Sequence, residues 1–256
     1  MKKYLVILLS LLILSSCGVS YPKETLQQDT VSLIKKEAGV DVSVQLFGTT
    51  MYLDVVLDDI ASEKTEKVKD VYKILQKVVS AVVRVPLSSD ADINLVVVSA
   101  FDSEYKVLLR LFENIDDIKL YYNHLISRTD YEQRQLMEII GPSSAQKIVE
   151  HKHEISMEEF VARLSVSQIG ISARNNPFLA AIISKLDLQY LFYKDGKVFI
   201  LIEPVDNTTV AELLKKTITD ELEKNIKKYK TFSIKSAIIY DKVGKTIYNL
   251  KFKIDN

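Results

Sequence analysis

The chain has 256 residues, 47% of them hydrophobic, and its 34 basic side chains balance its 34 acidic ones. Because there is no basic excess, the composition argues against a nucleic-acid-binding protein and against attraction to anionic lipid by charge alone. Cys17 is the only cysteine, so a disulfide framework is excluded. The fold must be held by a hydrophobic core, in one large domain or two small ones.

The amino-terminal residues have the pattern of an exported precursor. Two lysines precede an apolar run, residues 4–14, and two serines then lead into Cys17. The run fits the hydrophobic region of a signal peptide and is too short to cross a bilayer as a helix. We therefore predict that residues 1–16 are a signal peptide that is removed. Removal takes away two of the 34 basic residues and leaves 32, against 34 acidic ones.

Residues 14–17, Leu-Ser-Ser-Cys, resemble the lipobox of bacterial lipoproteins. The resemblance covers this segment alone. It implies cleavage before Cys17, a diacylglyceryl thioether on that cysteine, and a fatty amide such as palmitate on the new amino terminus. Burial contributes about 0.8 kcal/mol per CH₂ of acyl chain, so three chains would hold the mature protein on the membrane. The alternatives are an uncleaved anchor and a plain signal peptide with an incidental cysteine.

Residues 17–28 are polar and lack a clear period, so we expect a short lipidated tether. Residues 29–114 then predict a first α+β module. The run 93–101 is so apolar that we expect a central strand buried on both faces. The module comprises a short helix ending at Gly39, a hairpin over residues 42–57, an amphipathic helix ending before Pro86, and a hairpin beginning at Ile93.

Residues 187–256 repeat the same order of hairpin, helix and hairpin. Asp195-Gly196 marks the first turn, and the strand 246–254 alternates apolar and polar residues. Residue identity between the two modules is negligible, so the repeat reflects either duplication or the coincidence of a simple arrangement. Each module predicts an antiparallel four-stranded sheet with one helix packed on one face.

Residues 115–186, between the modules, predict helices throughout. Ser156 and Glu159 form a capping box at the start of one of them. The predicted fold class is therefore α+β, with two antiparallel ββαββ-like modules separated by an all-helical middle segment.

Few residues point to chemistry. Residues 151–154, His-Lys-His-Glu, are the one cluster of metal-type ligands, but side chains two apart do not face each other on a helix, so we predict a solvated helix end. His124 stands alone on an apolar helix. No nucleophile elbow, phosphate-binding glycine loop or zinc-protease helix is present. Adjacent carboxylates, which we expect to be helix caps and not acid/base pairs, occur at 58–59, 116–117 and 158–159.

The sequence thus predicts no catalytic residue, no cofactor and no metal, and lipid attachment at Cys17. The leading hypothesis is a non-enzymatic, membrane-anchored cell-envelope lipoprotein that acts as a binding or assembly module. Its partners would be the membrane, through the acyl chains, and envelope proteins, but not nucleic acid. Either the inner or the outer membrane would fit. An exposed edge strand such as 246–254, guarded by Lys251 and Lys253, would accept a partner by β-augmentation.

Two alternatives remain. A tethered receptor would bind a small ligand or peptide in a cleft between the modules. An envelope hydrolase, the least favoured, would need distant residues such as His124 and an acidic residue to converge.

Overall fold

The chain folds into two compact units, divided between Glu154 and Ile155. The computed structural model describes residues 21–62, 65–176, 179, 189–202, 208–241 and 244–252. In its described part, each unit contains one β-sheet and at least two helices, which confirms the α+β class. No helix in the described ranges is long and apolar enough to span a membrane.

The first unit contains six helices, five strands and a 3₁₀ turn in its described part. In chain order these are α1 (Leu26–Ala38), β1 (Val42–Phe47), β2 (Thr50–Val56), the 3₁₀ turn (Asp58–Ala61), α2 (Thr65–Val82), α3 (Arg84–Leu87), β3 (Leu95–Phe101), β4 (Leu108–Asn114), α4 (Ile115–Tyr122), α5 (Arg128–Glu132), β5 (Leu136–Ile140) and α6 (Pro142–Glu150).

The second unit contains two helices and four strands in its described part. These are α7 (Met157–Asn175), β6 (Gln189–Lys194), β7 (Lys197–Leu201), α8 (Thr208–Tyr229), β8 (Ser236–Tyr240) and β9 (Thr246–Lys251). The short helix predicted near residues 178–186 lies almost entirely outside the described residues.

The two sheets have the same central topology. Their strand orders are β1-β2-β3-β4-β5 and β6-β7-β8-β9. In the first sheet β1 pairs antiparallel with β2, and β3 with β4. In the second sheet β6 pairs antiparallel with β7, and β8 with β9. The middle pairs, β2 with β3 and β7 with β8, are parallel. The prediction of fully antiparallel sheets was therefore wrong. A helix, α2 or α8, carries the chain back along the sheet, so the next strand starts at the same end as the one before.

The prediction of an all-helical middle segment was also wrong, because β5 lies within it. Leu136, Ile139 and Ile140 fit helical spacing, but their strand pairs antiparallel with β4, with Leu136 opposite Phe112. Both of those side chains are fully buried. Pairing with an existing sheet outweighs the local pattern, which for short apolar runs does not separate helix from strand.

The main core of the first unit lies between one face of the sheet and helices α1 and α2. The chain reverses after α1 at Gly39, whose φ of 76° is left-handed and accommodates glycine without a side-chain clash. The core side chains of the sheet include Met51, Leu53, Val55, Val96 and Val98, and they pack with Leu26, Ile34, Val78 and Val82 of the two helices.

Candidate functional site

The predicted tether, residues 17–28, is hydrogen bonded to the first unit from Tyr21 onward. Cys17 and the predicted signal peptide lie outside the described residues. The backbone N–H of Tyr21 donates to the Ser88 carbonyl over 3.3 Å, and the N–H of Lys23 donates to Asp90 Oδ1 over 2.8 Å. Helix α1 then begins at Leu26, inside the segment expected to be a tether.

Tyr21 also lines a surface cleft of about 320 Å³. Helix α3 provides Arg84 and Leu87, and Tyr122 at the end of α4 provides a ring that is 52% exposed. The Arg84 guanidinium pairs with the Glu37 carboxylate and donates from Nε to the Ser80 carbonyl. The cleft is thus mainly aromatic and aliphatic, and its one charged lining residue is already engaged. Its five lining residues are Tyr21, Arg84, Leu87, Ser88 and Tyr122.

Residues 151–154, which we name the strap, form the expected solvated helix end only in part, because His151, His153 and Glu154 are exposed but the Lys152 side chain is buried. His151 caps α6, with Nδ1 2.9 Å from the Lys147 carbonyl. Lys152 pairs with Asp54 of β2, and its side chain is only 5% exposed. The expectation was wrong for Lys152 because Asp54, on the sheet face opposite α1 and α2, supplies a buried carboxylate that a cation must neutralise.

The rest of the strap is bound to β2 and to the turn that precedes it. The Tyr52 hydroxyl donates to the His153 carbonyl over 2.8 Å. Glu154 accepts hydrogen bonds from the backbone N–H and hydroxyl of Thr49 at 2.9 and 3.0 Å, and these hold the pKa of the Glu154 carboxyl below its usual range. The polar groups therefore reach different partners. Within the described ranges, no group of three His, Cys, Asp or Glu side chains is arranged to hold a metal ion.

The other sequence candidates do not converge either. His124 is exposed in the turn after α4, with a left-handed φ of 56°. The two carboxylates of each adjacent pair bond to different partners. Asp58 accepts from the Ser103 N–H while Asp59 pairs with Lys67, Asp116 pairs with Lys119 while Asp117 pairs with Arg134, and Glu158 accepts from Ser233 while Glu159 pairs with Arg163.

One buried carboxyl that we did not single out in the sequence lies at the end of β4. Glu113 is 1% exposed and accepts hydrogen bonds from the Tyr131 hydroxyl at 2.7 Å and from Gln135 Nε2 at 2.5 Å. Burial raises its pKa to about 7, although the two hydrogen bonds oppose the rise and nearby Asp117 adds to it. Burial also raises the pKa of the Tyr131 hydroxyl.

Glu113, Tyr131 and Gln135 have the chemistry of a proton-exchanging cluster, but none of them lines the cleft at Tyr21. The partners of Glu113 attach α5 and the following turn to β4, and Asp117 of α4 adds an ion pair with Arg134 at 2.7 Å. The sequence does contain a sign that Glu113 is buried, because Glu113 falls on the same strand face as Leu109 and Leu111. The cluster is best understood as a pH-sensitive part of the core.

The second sheet carries an aromatic row on one face. Ring centroids of Phe192 and Phe199 are 4.2 Å apart, and those of Phe199 and Tyr240 are 6.1 Å apart, with nearly parallel planes. The alternate residues of β7, Val198 and Ile200, are fully buried on the other face. Since Phe192 on the outermost strand β6 is 46% exposed, the row forms an apolar surface at the edge of this sheet.

Helix α7 lies on the buried face, away from the aromatic row. Its Arg163 is 4.6 Å above the Tyr190 ring, and Tyr190 pairs with buried Ile200. The predicted edge strand over 246–254 corresponds to β9, which is the outermost strand on the other side of the sheet. Three exposed lysines lie toward the strand ends on the same face as the row, namely Lys194, Lys197 and Lys251.

No family model matches this chain, and no curated protein or solved structure shows significant similarity to it.

Proposed function

We propose that the mature protein is a membrane-anchored lipoprotein of the cell envelope, held by acyl chains on Cys17, and that it acts as a non-enzymatic binding or assembly module. The anchor is supported by the lipobox-type segment before Cys17. The binding role is supported by the aromatic row of Phe192, Phe199 and Tyr240, which is the observation that carries the proposal.

The aromatic row has the chemistry of a protein-binding surface. Exposed apolar patches mark interaction sites, and aromatic side chains are enriched in the buried centres of interfaces. Covering Phe192 and its neighbour Leu191, which is 41% exposed, would remove apolar area from water at a gain of about 25 cal/mol per Å². The three lysines beside the row favour a partner that places acidic groups around an apolar centre.

Site-specific photo-crosslinking in native envelopes tests the binding role. A photoreactive phenylalanine derivative at position 192 should give a discrete adduct with one partner protein. The matched control is the same derivative at Ile171, which lies on α7 of the same unit and is 53% exposed. Added salt should reduce the adduct, because it screens the lysines. Equal labelling from both positions, or none from position 192, would contradict the binding role.

The anchor has its own test. The intact protein should carry an acyl mass on Cys17 and should fractionate with membranes, and Cys17→Ser should lose both properties. Mass spectrometry of the amino-terminal peptide measures the first, and density flotation measures the second. An unmodified Cys17 in the membrane-bound protein would refute the lipid anchor without bearing on the aromatic row.

A further inference from the structure

We propose that the surface formed by Tyr21, Leu87 and Tyr122 docks onto the lipid headgroup layer, and that the Tyr122 ring and Leu125, three positions further along the chain, enter the membrane interface. We name it the membrane-proximal surface. This inference rests on the proposed lipidation of Cys17, and it identifies which side of the first unit meets the bilayer.

The first argument is the length of chain available. Tyr21 follows Cys17 by four positions, and its backbone is hydrogen bonded to Ser88. Four residues span at most about 14 Å when fully extended. A folded unit of about 150 residues has a radius of gyration of about 15 Å. An acylated Cys17 therefore cannot let the first unit rotate freely above the bilayer, and the surface around Tyr21 must stay near the headgroups.

The second argument is the chemistry of that surface. Tyr122 is 52% exposed and Leu125, in the turn just after α4, is 69% exposed. Tyrosine rings favour the membrane interface because one end is apolar and the hydroxyl remains in contact with water and headgroups. The exposed Leu125, three positions after Tyr122, would also gain free energy on entering the acyl boundary. The structure thus places interfacial residues where the tether requires them.

Charge argues for a lipid surface in general and against an anionic ligand. Arg84 is the one charged residue that lines the cleft, and its guanidinium is paired with Glu37. The charged residues around Tyr21 are mixed, with Lys23 next to Glu24 and bonded through its backbone to Asp90. We therefore expect docking to zwitterionic vesicles and little dependence on anionic lipid.

The test places a fluorophore on single cysteines of the lipidated protein in phosphatidylcholine vesicles. The acyl thioether would occupy the natural cysteine, so only an introduced thiol reacts. Leu125→Cys reports on the proposed surface. Ser103→Cys is the control, because Ser103 is exposed and lies just beyond the end of β3, whereas α4, which carries Tyr122, begins next to the start of β3, where Asn114 pairs with Leu95. Quenching by aqueous iodide should be several-fold weaker at position 125 than at position 103.

Three outcomes separate this inference from the proposed function. Flotation with vesicles together with protection at position 125 supports docking. Flotation with equal quenching at both positions overturns docking and leaves the anchor in place. Failure to float, with no acyl mass on Cys17, overturns the anchor and with it the argument from tether length.

Discussion

The two units share a strand order but differ in how they use the second face of the sheet. In the first unit, all seven residues of β3 are buried, because α1 and α2 cover one face while α6 and the strap cover the other. In the second unit, β7 alternates between buried and partly exposed residues. The same ββαββ frame therefore yields a two-sided core in one unit and a surface with an aromatic row in the other.

Substitution of Lys152 should have the largest effect on the stability of the first unit. Removal of the lysine in Lys152→Met should destabilise the first unit by about 3–5 kcal/mol, because Asp54 would remain as an uncompensated buried charge. Asp54 Oδ1 already accepts no hydrogen bond from any described residue. Urea unfolding measures the loss. The double variant Asp54→Asn with Lys152→Met should recover most of it, and an equal loss in single and double variants would show that the charge is not the cause.

Glu113 should make the first unit depend on pH in a way that the second does not. Its carboxyl has a pKa of about 7 in the fold and 4.5 as its ordinary value. The fold therefore prefers the protonated form, so its stabilising contribution is complete below pH 4.5 and is lost as the pH rises through 7. The loss is at most about 3 kcal/mol.

Glu113→Gln should remove the loss of stability with rising pH and make the protein more stable than the parent at pH 8. Glu132→Gln, on the exposed part of α5, is the matched control and should leave the pH dependence unchanged. Unfolding free energies measured between pH 4 and pH 8 decide the matter, and a parent protein whose stability does not fall across this range would contradict the assignment.

Gly48 offers the smallest and most local test of the strap. Its φ is 56°, and a methyl group there would overlap the Glu154 carboxyl. Gly39 also has a left-handed φ, 76°, but open space around it. Gly39→Ala should cost about 1 kcal/mol from backbone strain alone, and Gly48→Ala should cost more. Adding Glu154→Ala should abolish the difference in thermal stability, and a persistent difference would show that the strap is not responsible.

The sequence predicted the parts of the fold that depend on local pattern. The continuous apolar run of β3 identified a central strand buried on both faces, and the Asp195-Gly196 turn identified a hairpin. The strap could not be predicted in this way, because the pairing of Lys152 with Asp54 joins residues 98 positions apart. The neighbours of Lys152 and Asp54 in sequence do not indicate that these two residues pair. Glu113 is the intermediate case, since its place in an apolar alternation was visible but its partners Tyr131 and Gln135 were not.

The parallel middle pairs also constrain the order in which each unit folds. Hairpins close between neighbouring segments in microseconds, whereas a parallel pair must wait for the residues on the far side of a helix. Thr50 pairs with Leu95, and Lys197 pairs with Ser236. During synthesis from the amino terminus, β2 and β7 would therefore emerge with an unpaired inner edge. Until the second hairpin arrives, each of these edges is open to pairing with another chain, and this is the interval in which a chaperone would be most useful.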